Sequence, residues 1–184
     1  MTRPDPIATR RLDPILRLLM WSGLLGLWLL PLIAKQFTDE VQWSTMDHVF
    51  WFFMLAIPGA VIEVVSRLTS NWSYRGGVGI ALAIAWANLA VGIVGNEDNP
   101  INLVFFGVVA IAVFGSILVG FKASRMRWVF LATAAAQALS ALVALQAEPF
   151  VWVFCGITSA LWLAAATLFG RAAEAQTVAG APPA

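Results

Sequence analysis

The chain has 184 residues, 60% of them hydrophobic and 11% charged, with a mean hydropathy of +0.83. Soluble domains carry about 25% charged residues, so this composition excludes a soluble globular domain and places the chain among multi-pass membrane proteins. The net charge is +1; one cysteine (Cys155) excludes an intrachain disulfide or multi-cysteine metal site, and one histidine (His48) excludes intrachain bis-histidine ligation.

A helix needs roughly 20 mostly apolar residues to cross ~30 Å of hydrocarbon. After a basic segment, 1–13, six stretches reach that length: about 14–34, 47–67, 77–95, 100–121, 126–146 and 149–170. The first opens at Asp13-Pro14, and its PLIAKQF end offers no small-x-small cleavage site, so it reads as a retained anchor. The second opens with a capping box, Ser44-Thr-Met-Asp47, and carries Pro58-Gly59, which predicts a kink. His48, beside Asp47, reads as an interfacial side chain. Glu63 is the one acid well inside a span, and intramembrane carboxylates count as functional candidates. Arg67 follows it at i+4, the favoured order for a helical ion pair, and Arg75 or Tyr74 across the short loop is a second candidate partner. Two roles stand open for Glu63: a structural ion pair near the interface, or a proton or cation relay.

The third span holds a deep amide, Asn88, and leads into GNEDNPIN, residues 95–102. Glu97, Asp98, Asn99 and Asn102 offer hard oxygen ligands of the kind that Ca²⁺ or Mg²⁺ takes. The same residues also serve as the end of one helix and the cap of the next, with Asn99 before Pro100 and the acids at the positive end of the dipole. The cap reading accounts for every residue type without an ion, and the spacing is not that of an EF-hand loop. In the fourth span Ser116 lies far deeper than His48, so the two cannot form a protease dyad. No Gly-x-Ser-x-Gly, P-loop or HExxH pattern occurs either, and an enzyme is not expected. The fifth span carries a second deep amide, Gln137, expected to hydrogen-bond between helices. Rows of small residues four apart, Ala132, Ala136 and Ser140, then Gly156, Ala160 and Ala164 on the sixth span, predict close packing within the bundle, with a homodimer face as the alternative. Glu148-Pro149 opens the sixth span, and the Ala/Pro-rich tail 171–184 is expected to be disordered.

Basic residues alternate from loop to loop. Arg3, Arg10, Arg11, Arg17, Arg67, Arg75, Lys122, Arg125, Arg127 and Arg171 fall on one side, and only Lys35 falls on the other. Lys/Arg excess marks the cytoplasmic side, so both termini are expected inside. The outer face then has one base against six acids, −5, and the inner face ten bases against four acids, +6.

The segments QFTDEVQW, Tyr74-Arg75, WANLAVGIVGNEDNPINLVFFG and MRWVFLATAAAQALSALVAL, together with Glu63, resemble a group of small polytopic bacterial inner-membrane proteins with no established activity. The resemblance covers residues 30–170, with EDNP its most specific part, and Asn96 stands where such sequences often have Ser. It implies a localisation and an architecture, and it transfers no functional residue. The expected fold is an all-α bundle of six transmembrane helices spanning 14–170, with no cofactor. The expected partners are the lipid bilayer and a second copy or another membrane subunit, not nucleic acid. Two functional classes follow: an accessory or structural membrane protein, or a small cation transporter using the acidic outer face and Glu63. Transporters commonly show inverted repeats, and the loop lengths and charges of spans one to three do not match those of four to six, which favours the first class.

Overall fold

The computed structural model describes residues 6–38 (side chains from 14), 40, 42–90, 93–94, 99–143 and 149–180. Among the described residues the chain is all-α. Its helices are α1 (Pro6–Ala34), α2 (Thr45–Leu68), α3 (Trp72–Ala90), α4 (Leu103–Leu118, after a 3₁₀ turn at Pro100–Asn102), α5 (Ala123–Val143) and α6 (Pro149–Gly180). Four stretches are long and apolar enough to cross a membrane: Pro14–Ala34, Thr45–Leu68, Pro100–Leu118 and Pro149–Ala179. The other two helices, α3 and α5, open on basic turns holding Arg75, and Arg125 with Arg127. Both end at Ala90 and Val143, short of the 95 and 146 expected for those spans, whose remaining residues are largely outside the described set.

Helix α3 starts at Trp72 and α5 at Ala123, ahead of the 77 and 126 expected, and α4 ends at Leu118 rather than 121; two other ends differ by more. Helix α1 starts at Pro6, so Pro14 lies inside it rather than at its first position. Pro6 takes that place, where a missing N–H costs nothing, and Ala8, Arg10, Arg11 and Leu12 are good helix formers. Helix α6 runs on to Gly180 through Ala172, Ala173, Glu174, Ala175 and Gln176, so residues 171–180 are helical where a disordered tail was expected. Alanine, the best helix former, carries the helix past the apolar span.

The chain divides into two compact units, residues 1–69 and 70–184. In the first, α1 and α2 run antiparallel, with Arg17 beside Glu63 at one end and Trp28 beside His48 at the other. Ser44 caps α2 as the sequence predicts: the Asp47 amide donates to Ser44 Oγ at 3.2 Å and the Ser44 amide to Asp47 Oδ2 at 2.7 Å. Helix α2 is continuous through Pro58-Gly59. The helices approach closely at Gly59, where a Cβ would come within 2.6 Å of a terminal methyl of Leu24 and that methyl would have to move. Two indoles stitch the pair, Trp51 Nε1 donating to the Leu27 carbonyl at 3.1 Å and Trp28 Nε1 to that of His48 at 3.4 Å.

The second unit has a true core. Phe130 of α5 stacks between Trp162 and Phe169 of α6, at 5.4 and 5.0 Å between ring centroids, and Tyr74 of α3 meets Phe169 edge-on at 5.1 Å. The Tyr74 hydroxyl donates to the Phe121 carbonyl at 2.9 Å, tying α3 to the turn between α4 and α5. A Cβ at Gly77 would come within 2.9 Å of the Phe169 ring, so α3 can approach α6 this closely only with glycine there. A second cluster, built on Ile93, Val94, Phe105, Ala141, Val151 and Cys155, fills the end of the unit near Pro100.

The small-residue rows do not pack as expected. Ala132, Gly156 and Ala160 are exposed, Ala136 and Ala164 are half-buried, and Ser140 alone is buried. The buried seam of α6 is instead Cys155, Trp162, Ala165, Ala166 and Phe169. Turning two large aromatics inward gains many more dispersion contacts than turning alanines inward, and that sets the helix rotation.

Candidate functional site

Glu63 lies on the face of α2 toward α1. Its Oε1 accepts from Arg67 Nε at 2.7 Å, one turn on, and its Oε2 lies 3.6 Å from Arg17 Nε of α1. The carboxylate side chain is 15% exposed, against 32% for Arg17 and 68% for Arg67. The i+4 partner was legible in the sequence. Arg17, 46 positions away, was not, because only the antiparallel docking of α1 brings it there. The other partners considered are engaged elsewhere: Tyr74 on the Phe121 carbonyl, and Arg75 over the Trp72 ring at 5.3 Å. Two guanidiniums around one carboxylate compensate the charge that burial makes costly, and they repel any cation that approaches it.

Of the GNEDNPIN ligand candidates, Asn99 and Asn102 are described, while Glu97 and Asp98 lie outside the described residues. Asn99 Oδ1 accepts from the Ile101 amide at 3.0 Å, which makes it the N-cap of the 3₁₀ turn. Asn102 is buried and forms a two-bond clasp: its Oδ1 accepts from the Val94 amide at 2.9 Å and its Nδ2 donates to the Val94 carbonyl at 3.3 Å. Both side-chain oxygens therefore answer backbone N–H groups. A side-chain amide replaces here the backbone pairing that the chain loses in turning from α3 to α4, and a buried N–H left unpaired would be costly.

The deep amides behave differently from each other. Gln137 is fully buried between α5 and α6, and its Oε1 accepts from Trp162 Nε1 at 3.4 Å. Its Nε2 donates to Ser140 Oγ at 3.4 Å and lies 4.0 Å from Cys155 Sγ, with Ser140 Oγ 3.6 Å from that sulfur. The Trp162 contact joins α5 to α6. The cluster is sealed, Cys155 and Ser140 being 1% and 2% exposed, and it holds no ionisable base, so it fixes helix rotation and has no route to a substrate. Asn88 departs from expectation: its Nδ2 donates to Ile84 O of its own helix at 2.8 Å, and its Oδ1 has no partner among the described residues.

His48 sits at the mouth of a recess between α1 and α2, edge-on to Trp43 at 5.4 Å between centroids. The sequence placed it at an interface but gave no sign of the recess, because its walls come from α1, α2 and the connection between them. Set against protein-family models, curated proteins and solved structures, the chain matches none.

Proposed function

We propose that this chain is a non-enzymatic multi-pass protein of the bacterial inner membrane, with six spans and both termini in the cytoplasm. In this reading it serves as an accessory or structural component, associating with itself or with another membrane subunit. Four apolar helices of spanning length, with α3 and α5 between them in the chain, support the six-span arrangement. The alternation of basic and acidic loops supports the orientation.

One observation carries the functional half of the reading. Among the described residues, most polar groups that a transport pathway would use are committed to partners inside the fold: Glu63 to Arg17 and Arg67, Asn99 and Asn102 to backbone amides, Gln137 to Trp162 and Ser140, with Asn88 Oδ1 the exception. The test is cation flux in proteoliposomes, comparing the native chain with Glu63→Gln. Both are expected to match empty liposomes. A flux above background that Glu63→Gln abolishes would overturn the reading in favour of a cation pathway.

A further inference from the structure

The corner between α4 and α5 holds an exposed aromatic residue in a backbone conformation that suits glycine. Gly120 and Phe121 follow each other there at φ 63° and 55°. Glycine takes this left-handed region freely, whereas a Cβ is crowded in it. Among the described residues Phe121 is the only non-glycine residue that adopts it. Its side chain is 56% exposed and belongs to neither core cluster. Leu118, three positions earlier, is 84% exposed. Packing inside the chain therefore gives no reason for a phenylalanine at this strained position.

The charges at the same corner are also unanswered. Lys122 and Arg125 are exposed, and the ion pairs among the described residues both belong to Glu63, not to them. Lys122 stands at the start of α5, where its carbonyl accepts from the Arg125 and Met126 amides. Spaced three apart, the two bases fall on one side of the helix. That first turn holds no acid, so the positive end of the helix dipole adds to their charge. Arg127 is placed differently. Its guanidinium lies over the Trp128 ring at 4.9 Å, and its Cδ is 3.5 Å from a Cβ built at Gly170 of α6. We infer that the α4–α5 corner is a binding site for one anionic phospholipid, with the phosphodiester on Lys122 and Arg125 and the acyl chains beside Leu118 and Phe121. The inference rests on the six-span reading, which puts the corner at a membrane surface, on the face of net charge +6. An acidic peptide or a free phosphate would use the bases and leave the exposed Phe121 without a purpose.

The experiment is native mass spectrometry of the full chain in detergent, titrated with phosphatidylglycerol, with phosphatidylcholine, and with glycerol phosphate as the free headgroup. One phosphatidylglycerol should be retained per chain. Lys122→Gln with Arg125→Gln should weaken it about tenfold, the loss expected of a charged hydrogen bond, to the level of phosphatidylcholine. Arg127→Gln, and Lys35→Gln on the opposite face, should leave retention unchanged. Phe121→Gly is the second arm. Glycine suits φ 55°, so this variant should keep its thermal stability, yet hold phosphatidylglycerol about fivefold more weakly, as expected for losing roughly half of one phenylalanine burial. Glycerol phosphate, which has no chains, should not bind measurably. The site would be overturned by equal retention of the two lipids, by a loss after Arg127→Gln as large as that of the paired variant, by Phe121→Gly holding the lipid as the native chain does, or by glycerol phosphate binding as well as the lipid. Topology is read separately: Ser124→Cys should be protected from an impermeant maleimide in intact cells and labelled once they are opened. Labelling in intact cells would sink the orientation, and cation flux the accessory role, while retention in detergent depends on neither.

Discussion

In the α1–α2 pair the polar contacts sit at the ends, Glu63 with two arginines at one and the Ser44–Asp47 box with His48 at the other. In the bundle of α3 to α6 they sit in the middle of the packing, as Gln137 against Trp162. Only 6% of the α1 span and 11% of the α2 span are buried, against 33% for the spans of α4 and α6. Two helices can bury one stripe each and no more, so the pair depends on side-chain to backbone bonds and on an ion pair to set its register. Four helices enclose a volume, and there large aromatics and a sealed amide fix the arrangement. Lipid does not penalise the apolar surface left outside, so neither solution needs further covering.

The sharpest way to break that comparison is Trp162→Ala. It removes the ring that stacks on Phe130 and leaves the Gln137 carbonyl oxygen without its indole donor. A loss of about 3–5 kcal/mol is expected, read as earlier thermal or denaturant unfolding of purified protein. Asn102→Ala comes next. Losing the clasp on Val94 should cost about 1–3 kcal/mol, and amide exchange at Val94 should accelerate while the rest of the second unit stays protected. Unchanged exchange at Val94 would mean the clasp does not hold that turn.

A smaller effect, confined to the first unit, is expected of Glu63→Gln, which leaves Arg17 and Arg67 without their common carboxylate. The variant should unfold somewhat earlier than the native chain. Adding Arg17→Gln should recover part of the loss in a double-mutant cycle, because the two arginines then no longer face each other uncompensated. Additive losses would show that Arg17 does not reach the carboxylate. The smallest change is expected for Gly156→Leu. Nothing lies within 4 Å of a Cβ built at Gly156, so the isolated chain should keep its stability to within about 0.5 kcal/mol. A large loss there would place Gly156 against a neighbour and restore the packing row read from sequence spacing.

Much of the architecture was legible in the residues. Apolar run length marked the helices, Ser44 with Asp47 marked a helix start, Asn99 before Pro100 marked another, and Glu63 with Arg67 marked an ion pair. Each of these is local, involving residues within four positions of one another. The failures were local too, but of a different kind. The beginning of α1 and the end of α6 were missed because strong helix formers continue a helix past its apolar stretch. The small-residue rows were misjudged because spacing gives the faces of a helix without saying which face turns inward.

The sequence by itself determined the helical class, the membrane character, the caps and the i+4 ion pair, since composition and short-range spacing govern these. Only the tertiary structure decided that Arg17 joins Glu63, that Asn102 clasps Val94, that Trp162 and Gln137 meet in the core, and that Lys35 and His48 share one recess. Each of those contacts joins residues from different segments. Their meeting depends on how each helix rotates and docks, which follows from the summed packing of whole faces and not from any one spacing.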